Sequence, residues 1–231
     1  MKNSVVAVLA LAAAGSLAQA DIIASWSITT AFPTGTGNVP TGTTYGVGAA
    51  DAGALTAGSS LTSVHAAAAA TYTSPAGNGS QYAFSSNNWN TGDYYQASFS
   101  TTGYSTISLS WDQARSSTGP SSFTLIMSTD GGANWTTVLA SYTVLQSGGG
   151  GAPATWSSTV ARNAIYTTTA TLSGADNKGS VLVRFQSISG LSAATGSNRI
   201  DNVEISGTAV PAPGALALVG LGGLVAGRRR R

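Results

Sequence analysis

Ile107-Ser108-Leu109-Ser110-Trp111 is the clearest period-two run in this 231-residue chain. Large apolar side chains alternate with serines. In an extended backbone that places Ile107, Leu109 and Trp111 on one face and Ser108 and Ser110 on the other, the signature of a strand with one buried side. The same period recurs on both sides of it. Ile22, Ala24, Trp26 and Ile28 alternate near the start, then Tyr95, Ala97 and Phe99. After it come Phe123, Leu125 and Met127, an interrupted run from Val138 to Val144, then Val181, Val183 and Phe185, and finally Val203 with Ile205. Turn-forming clusters separate these runs: Thr34 to Asn38, Pro75 to Gly79, Ser117 to Pro120 and Gly148 to Gly151. No 15-residue stretch between the chain's two ends carries a helical stripe. Ala66 to Ala70 has helix propensity, but β-branched and aromatic neighbours surround it, so it reads as a strand or an irregular segment. Many short strands with turns between them predict an all-β sandwich over residues 21–207, with no internal repeat.

The two ends read differently. Lys2 precedes an apolar stretch from Val5 to Ala14, and Leu17-Ala18-Gln19-Ala20 offers small residues where a signal peptidase reads. Residues 1–20 are therefore expected to be a secretory signal peptide cut between Ala20 and Asp21. At the other end, residues 208–231 contain a low-complexity linker and then Val210-Pro211-Ala212-Pro213-Gly214. An uncharged apolar run to Gly227 follows, and the chain closes on Arg228, Arg229, Arg230 and Arg231. The apolar run is short against the roughly 20 residues of a comfortable bilayer span. A short hydrophobic helix stopped by a basic cluster on the cytoplasmic side suits a transient anchor.

Taken together, the ends resemble the PEP-CTERM sorting-domain proteins in the variant whose motif reads VPAPG, with Ala212 where the usual form has Glu. The resemblance covers Val210 to Arg231, with motif, span and Arg cluster in order. It implies export and transient residence in the inner membrane. It further implies cleavage near the motif by an exosortase-type processing enzyme, and delivery to the cell surface or extracellular matrix.

Charge and composition narrow the rest. The whole chain is formally +2, but residues 21–207 keep five cations, Arg115, Arg162, Lys178, Arg184 and Arg199, against eight acids. That part is net negative, so bulk charge argues against nucleic acid as a partner. There is no cysteine, hence no disulfide, thiol nucleophile or cysteine-ligated metal.

Ser128-Thr129-Asp130-Gly131-Gly132-Ala133-Asn134-Trp135 resembles an Asp-box, the Ser-x-Asp-x-Gly-x-Thr-Trp pattern of sialidases, with Asn134 in place of Thr. Asp130 and Trp135 are expected to shape a tight hairpin rather than to carry a reaction, with a Ca²⁺ or sugar site as the alternative. In Gly196 to Ile205, alternation places Asp201 on the face of Val203 and Ile205, where a carboxylate must be hydrogen-bonded or paired. Arg199 is one candidate partner. Asp112, after the Ile107–Trp111 run, reads as structural in the same way. The closing Ile200-Asp201-Asn202, with Asn87 to Gln96 and Ser110 to Pro120, resembles the jelly-roll, galactose-binding-like sandwich associated with PEP-CTERM proteins.

Enzyme chemistry finds little support. His65 is the only histidine and Glu204 the only glutamate, and metalloprotease, nucleophile-elbow, P-loop and dinucleotide motifs are lacking. A Ser-His-Asp triad would have to use His65. Sequence alone leaves a pair of carboxylates for glycoside hydrolysis open. No cofactor is implied. Asn78-Gly79-Ser80 and Asn134-Trp135-Thr136 match the glycosylation sequon and read as turn chemistry. Trp26 and Trp111 follow the inward pattern. Trp89, Tyr94, Tyr95 and Trp156 sit in polar, turn-rich sequence, where an exposed ring can stack on a sugar. Tyr95 shares its face with Ala97 and Phe99, so Trp89 and Tyr94 are the expected platform. The leading expectation is a non-enzymatic structural or adhesive protein. The alternatives are a carbohydrate-binding module for extracellular polysaccharide and, behind it, a secreted hydrolase.

Overall fold

The computed structural model describes residues 20–31, 41–66, 68–189 and 195–211. The sorting residues Ala212, Pro213, Gly214 and Arg228 to Arg231, the short C-terminal helix and nearly all of the signal peptide lie outside the described residues. No helix among the described residues is long and apolar enough to cross a membrane.

Two sheets form a jelly-roll sandwich. The first holds β1 (Ala20–Trp26), β2 (Thr41–Gly42), β5 (Ala70–Thr73), β6 (Phe84–Asn87), β8 (Tyr104–Arg115), β11 (Leu145–Gln146), β12 (Thr167–Thr171) and β14 (Ser197–Ala209). Its order is β11-β8-β14-β6-β5-β2, with β1 also on β14 and β12 also on β8. The second runs β10 (Thr136–Thr143), β9 (Ser122–Ser128), β13 (Val181–Ser187), β7 (Tyr94–Phe99), β4 (Ser60–Val64), β3 (Thr44–Gly48). All pairings are antiparallel except the short β11–β8 contact. The only helical pieces described are two 3₁₀ turns, Gly149–Gly151 and Ala164–Tyr166.

Alternation explains the core. In β8, Ile107, Leu109 and Trp111 are buried, and in β13 Val181, Val183 and Phe185 are buried while Leu182, Arg184 and Gln186 face outward. Tyr95, Phe99, Phe123, Leu125, Val203 and Ile205 meet them between the sheets. Each large side chain removed from water in this way contributes about 1.5–3 kcal/mol. Tyrosine hydroxyls tie the layers: Tyr95 donates to Asn198 O at 2.7 Å and Tyr142 to Gln113 Oε1 at 2.7 Å. Burial pushes the Tyr95 phenol well above its ordinary range, so it remains a donor.

Four details of the strands and core depart from the sequence expectations. Ile22 is exposed, because a bulge between Ile22 and Ala24 puts Ile23 in the core instead. Ile28 lies beyond β1 and is buried with a left-handed backbone, φ 48°. The final strand runs on through Thr208 and Ala209, and Val210 N still bonds Gly103 O at 2.8 Å, so these residues after Gly207 are paired strand rather than linker. Trp89 is not an exposed sugar platform. It is 1% exposed, donates from Nε1 to Ser86 O at 2.9 Å and packs edge-on against His65, Tyr95 and Phe123. The preceding Asn88 has φ 56°, which breaks the alternation after β6 and turns the next ring inward.

Trp89→Ala should therefore destabilise the fold by about 3–5 kcal/mol, the range for emptying a buried aromatic site. Chemical denaturation measures this. A loss near zero would put the ring outside the core.

Candidate functional site

Three groupings of polar side chains stand out, and their surroundings separate them. The first is in the core. His65 Nδ1 lies 3.1 Å from Asp93 Oδ2, and His65 Nε2 lies 3.1 Å from Ser86 Oγ. The order is that of a Ser-His-Asp triad. Yet Ser86, His65 and Asp93 are 0–1% exposed, and Ser86 also lies near Ser63 and the Tyr95 hydroxyl. Burial pushes the Asp93 carboxyl up, but bonds from His65, Asn90 N and Ala66 N together hold it below its ordinary value. A serine sealed between two sheets has no route to a substrate. The arrangement is a satisfied core network that pins β6 of one sheet against the other.

The second grouping lies on the outer face of the first sheet. Asp112 and Asp201 are cross-strand partners in β8 and β14, and both are fully buried. Asp112 accepts from Arg162 Nε and Nη2 at 2.7 Å each, Thr167 Oγ1 at 2.6 Å, Asn78 Nδ2 at 2.9 Å and Asn202 Nδ2 at 2.8 Å. Asp201 accepts from Asn78 N at 2.7 Å, Ser80 Oγ and Asn202 N at 2.7 Å. Arg199 is not its partner; that guanidinium lies 5.7 Å from the Trp156 ring centroid. Nor does Asp201 share the face of Val203 and Ile205. Asn202 has φ 47° and marks a bulge between Asp201 and Glu204, so the strand changes phase there. Gly77 lets the covering loop approach, since a Cβ there would stand 2.6 Å from Asp201 Oδ2. Burial, aided by the neighbouring Asp112 charge, raises the Asp201 carboxyl to about 7 against the bonds that lower it. Arg162 and the loop close this pair off. Among the described residues no three His, Asp or Glu side chains cluster as metal ligands.

The third grouping is open, on the outer face of the second sheet. β7 presents Tyr94, Gln96 and Ser98, β13 presents Leu182, Arg184 and Gln186, and β4 presents Ser60, Thr62 and Val64. Trp135 comes from the β9–β10 hairpin. There Asp130 accepts from Asn134 N at 2.9 Å, Asn134 Nδ2 at 2.7 Å and Ser128 Oγ at 2.7 Å. These bonds, led by the Asn134 amide, hold the exposed Asp130 carboxyl down at about 2. Trp135 Nε1 closes the turn on Gly132 O at 3.0 Å. The Arg184 guanidinium carbon sits 4.1 Å from the Tyr94 ring centroid and 4.0 Å from the Trp135 one. Its Nε bonds Gln96 Oε1 at 2.8 Å. Both rings are half-buried. Trp156, the other ring in polar sequence, lies elsewhere, with Nε1 on Ala76 O at 2.8 Å and its edge toward Tyr166.

Tyr94 thus stands on an open face, but its companion is Trp135 rather than Trp89. Sequence reading gave Trp135 first a turn-making role, with a Ca²⁺ or sugar site second, and passed over Arg184. The signal for Arg184 was present: a cation at an outward position between Val183 and Phe185.

No family model matches this chain, and no curated protein matches it. Solved structures of low identity are similar to it. The CBM22-1 xylan-binding domain from Paenibacillus barcinonensis is 12% identical, covering 85% of this chain and all of that one, with a TM-score of 0.43. A cleaved adhesin domain of Lys-gingipain from Porphyromonas gingivalis is 14% identical over 78% of this chain and 95% of that one, TM-score 0.39. A family 11 carbohydrate-binding module of a Clostridium thermocellum cellulosomal cellulase is 14% identical over 80% and 96%, TM-score 0.36. These are likenesses of fold, and no residue role passes from them to this chain.

The sealed acid pair carries a pH signature. Because the folded-state value of Asp201 is raised from 3.8 to about 7, the native protein holds a proton that the unfolded chain has released. That contribution to stability is complete below 3.8 and is lost as pH rises to about 7. Denaturation should find the protein more stable near pH 5 than near pH 8, and Asp201→Asn should flatten the difference. An unchanged slope in the variant would assign the dependence to another group.

Proposed function

We propose that this chain is an exported, non-catalytic protein that binds extracellular polysaccharide through the outer face of its second sheet. The observation that carries the reading is the Tyr94–Arg184–Trp135 stack, set among the side chains of Gln96, Gln186, Thr62 and Thr124. Rings offer apolar area to a pyranose face, while amides and hydroxyls orient its hydroxyl groups. A structural or adhesive role follows from such binding, since a protein fixed to matrix polysaccharide holds surface and matrix together. The sealing of Ser86, His65 and Asp93, and of Asp112 and Asp201, supports binding without catalysis.

Tyr94→Ala and Trp135→Ala should each weaken retardation in gels containing soluble polysaccharide by about tenfold or more. Full retardation of both variants would remove this face as the site.

The proposal includes delivery. Export would use the N-terminal signal. An exosortase-type enzyme would process the Val210 to Gly214 motif while Arg228 to Arg231 hold the tail at the inner membrane. Two features favour it. Val210 and Pro211 are exposed, and Ala20 lies opposite Thr208 in the β1–β14 register, so both processing points leave one end of one sheet. Intact-mass analysis of surface material should give a C-terminus between Val210 and Gly214. Mature protein still ending at Arg231 would refute the processing step.

A further inference from the structure

Arg184 is the only charged residue in all six strands of the second sheet. It occupies β13, third of the six, between β9 and β7. Among the described residues it has no ion pair, for the two pairs found are His65–Asp93 and Arg162–Asp112. Its one hydrogen bond among the described residues runs from Nε to a neutral amide, Gln96. The two rings steady the guanidinium without neutralising it. Asp130, on the hairpin that carries Trp135, directs its oxygens to Asn134 and Ser128 instead. The other acids do not cancel this cation: none lies on a strand of this sheet, and Asp112 and Asp201 are buried on the opposite sheet.

We propose that the polysaccharide taken by this face is a polyuronate, with Arg184 reading its carboxylates. The inference rests on the polysaccharide-binding reading above and adds the charge of the ligand. A guanidinium is a planar fork, and with Nε engaged its terminal nitrogens remain to meet a planar carboxylate in two parallel bonds. The uronate carboxylate projects from the sugar ring. A pyranose placed against Tyr94 or Trp135 therefore brings that group beside the cation. The face supplies one positive charge among hydroxyls, amides and the apolar Leu182 and Ile126, so it suits a sparsely spaced carboxylate polymer better than a dense polyanion, which calls for a basic patch.

Affinity electrophoresis and calorimetry of the full chain test this with alginate, polygalacturonate, their carboxyl-reduced neutral counterparts, mixed-linked β-glucan and dextran sulfate. One of the two polyuronates should bind, more weakly as salt rises, and carboxyl reduction should lower its affinity about tenfold or more. Arg184→Gln should abolish the preference, binding the acidic polymer and its reduced counterpart alike. The wild-type comparison of parent and reduced polymer decides the matter even where the variant folds poorly. Equal binding of both polymers, or binding of β-glucan alone, overturns the acidic specificity and leaves polysaccharide binding standing. Binding of dextran sulfate without either polyuronate also overturns it. Binding of none of these polymers overturns both readings.

Discussion

β14 has to serve the core along its length and still pass a carboxylate to the opposite face. A strict period of two cannot do both, because it would put either Asp201 or its apolar neighbours on the wrong side. The bulge at Asn202 resolves the conflict. Ile200 faces inward before it, Val203 and Ile205 face inward after it, and Asp201 is left on the outer side beside Asp112. Much follows from that one phase change. β14 can pair with β6 through its first half and with β1 through its second, while β8 lines its other edge. The two carboxylates become an anchor onto which Asn78, Ser80 and Arg162 fasten their loops. Asn is suited to the bulge, since it tolerates the left-handed region better than most residues and its amide here bridges both acids.

The same phase changes mark where the sequence was legible and where it was not. Wherever a strand keeps its period, as in β7, β8, β9 and β13, inward and outward residues follow from alternation alone. Trp89 and Asp201 each adjoin an Asn with positive φ, Asn88 or Asn202. Period counting carries straight through Asn202 and puts Asp201 on the inner face, whereas the polar, turn-rich neighbours of Trp89 suggest an exposed ring. Asn in that conformation is uncommon enough that nothing short of the structure reveals it. The minimal strands β2 and β11, two residues each, have too few positions to show any period. His65 looked isolated because its partners, Ser86 and Asp93, come from strand ends 21 and 28 residues away.

The two outer faces have different fates, and the loops decide which is open. On the first sheet the segment around Asn78 and the Arg162 side chain lie over the acids and satisfy them. Polar chemistry there is turned inward and contributes to stability. Among the described residues the second sheet has no such cover over Tyr94, Arg184 and Trp135, which are half-buried. A cation left between two rings has lost some conformational freedom before any ligand arrives, which lowers the entropic cost of fixing it in a complex. That preorganisation explains why a single arginine can matter on an otherwise uncharged surface. A lone flexible cation in water is worth little. A cation already aligned by Tyr94, Trp135 and Gln96 presents its remaining donors in one direction, which makes geometry as well as charge available for recognition.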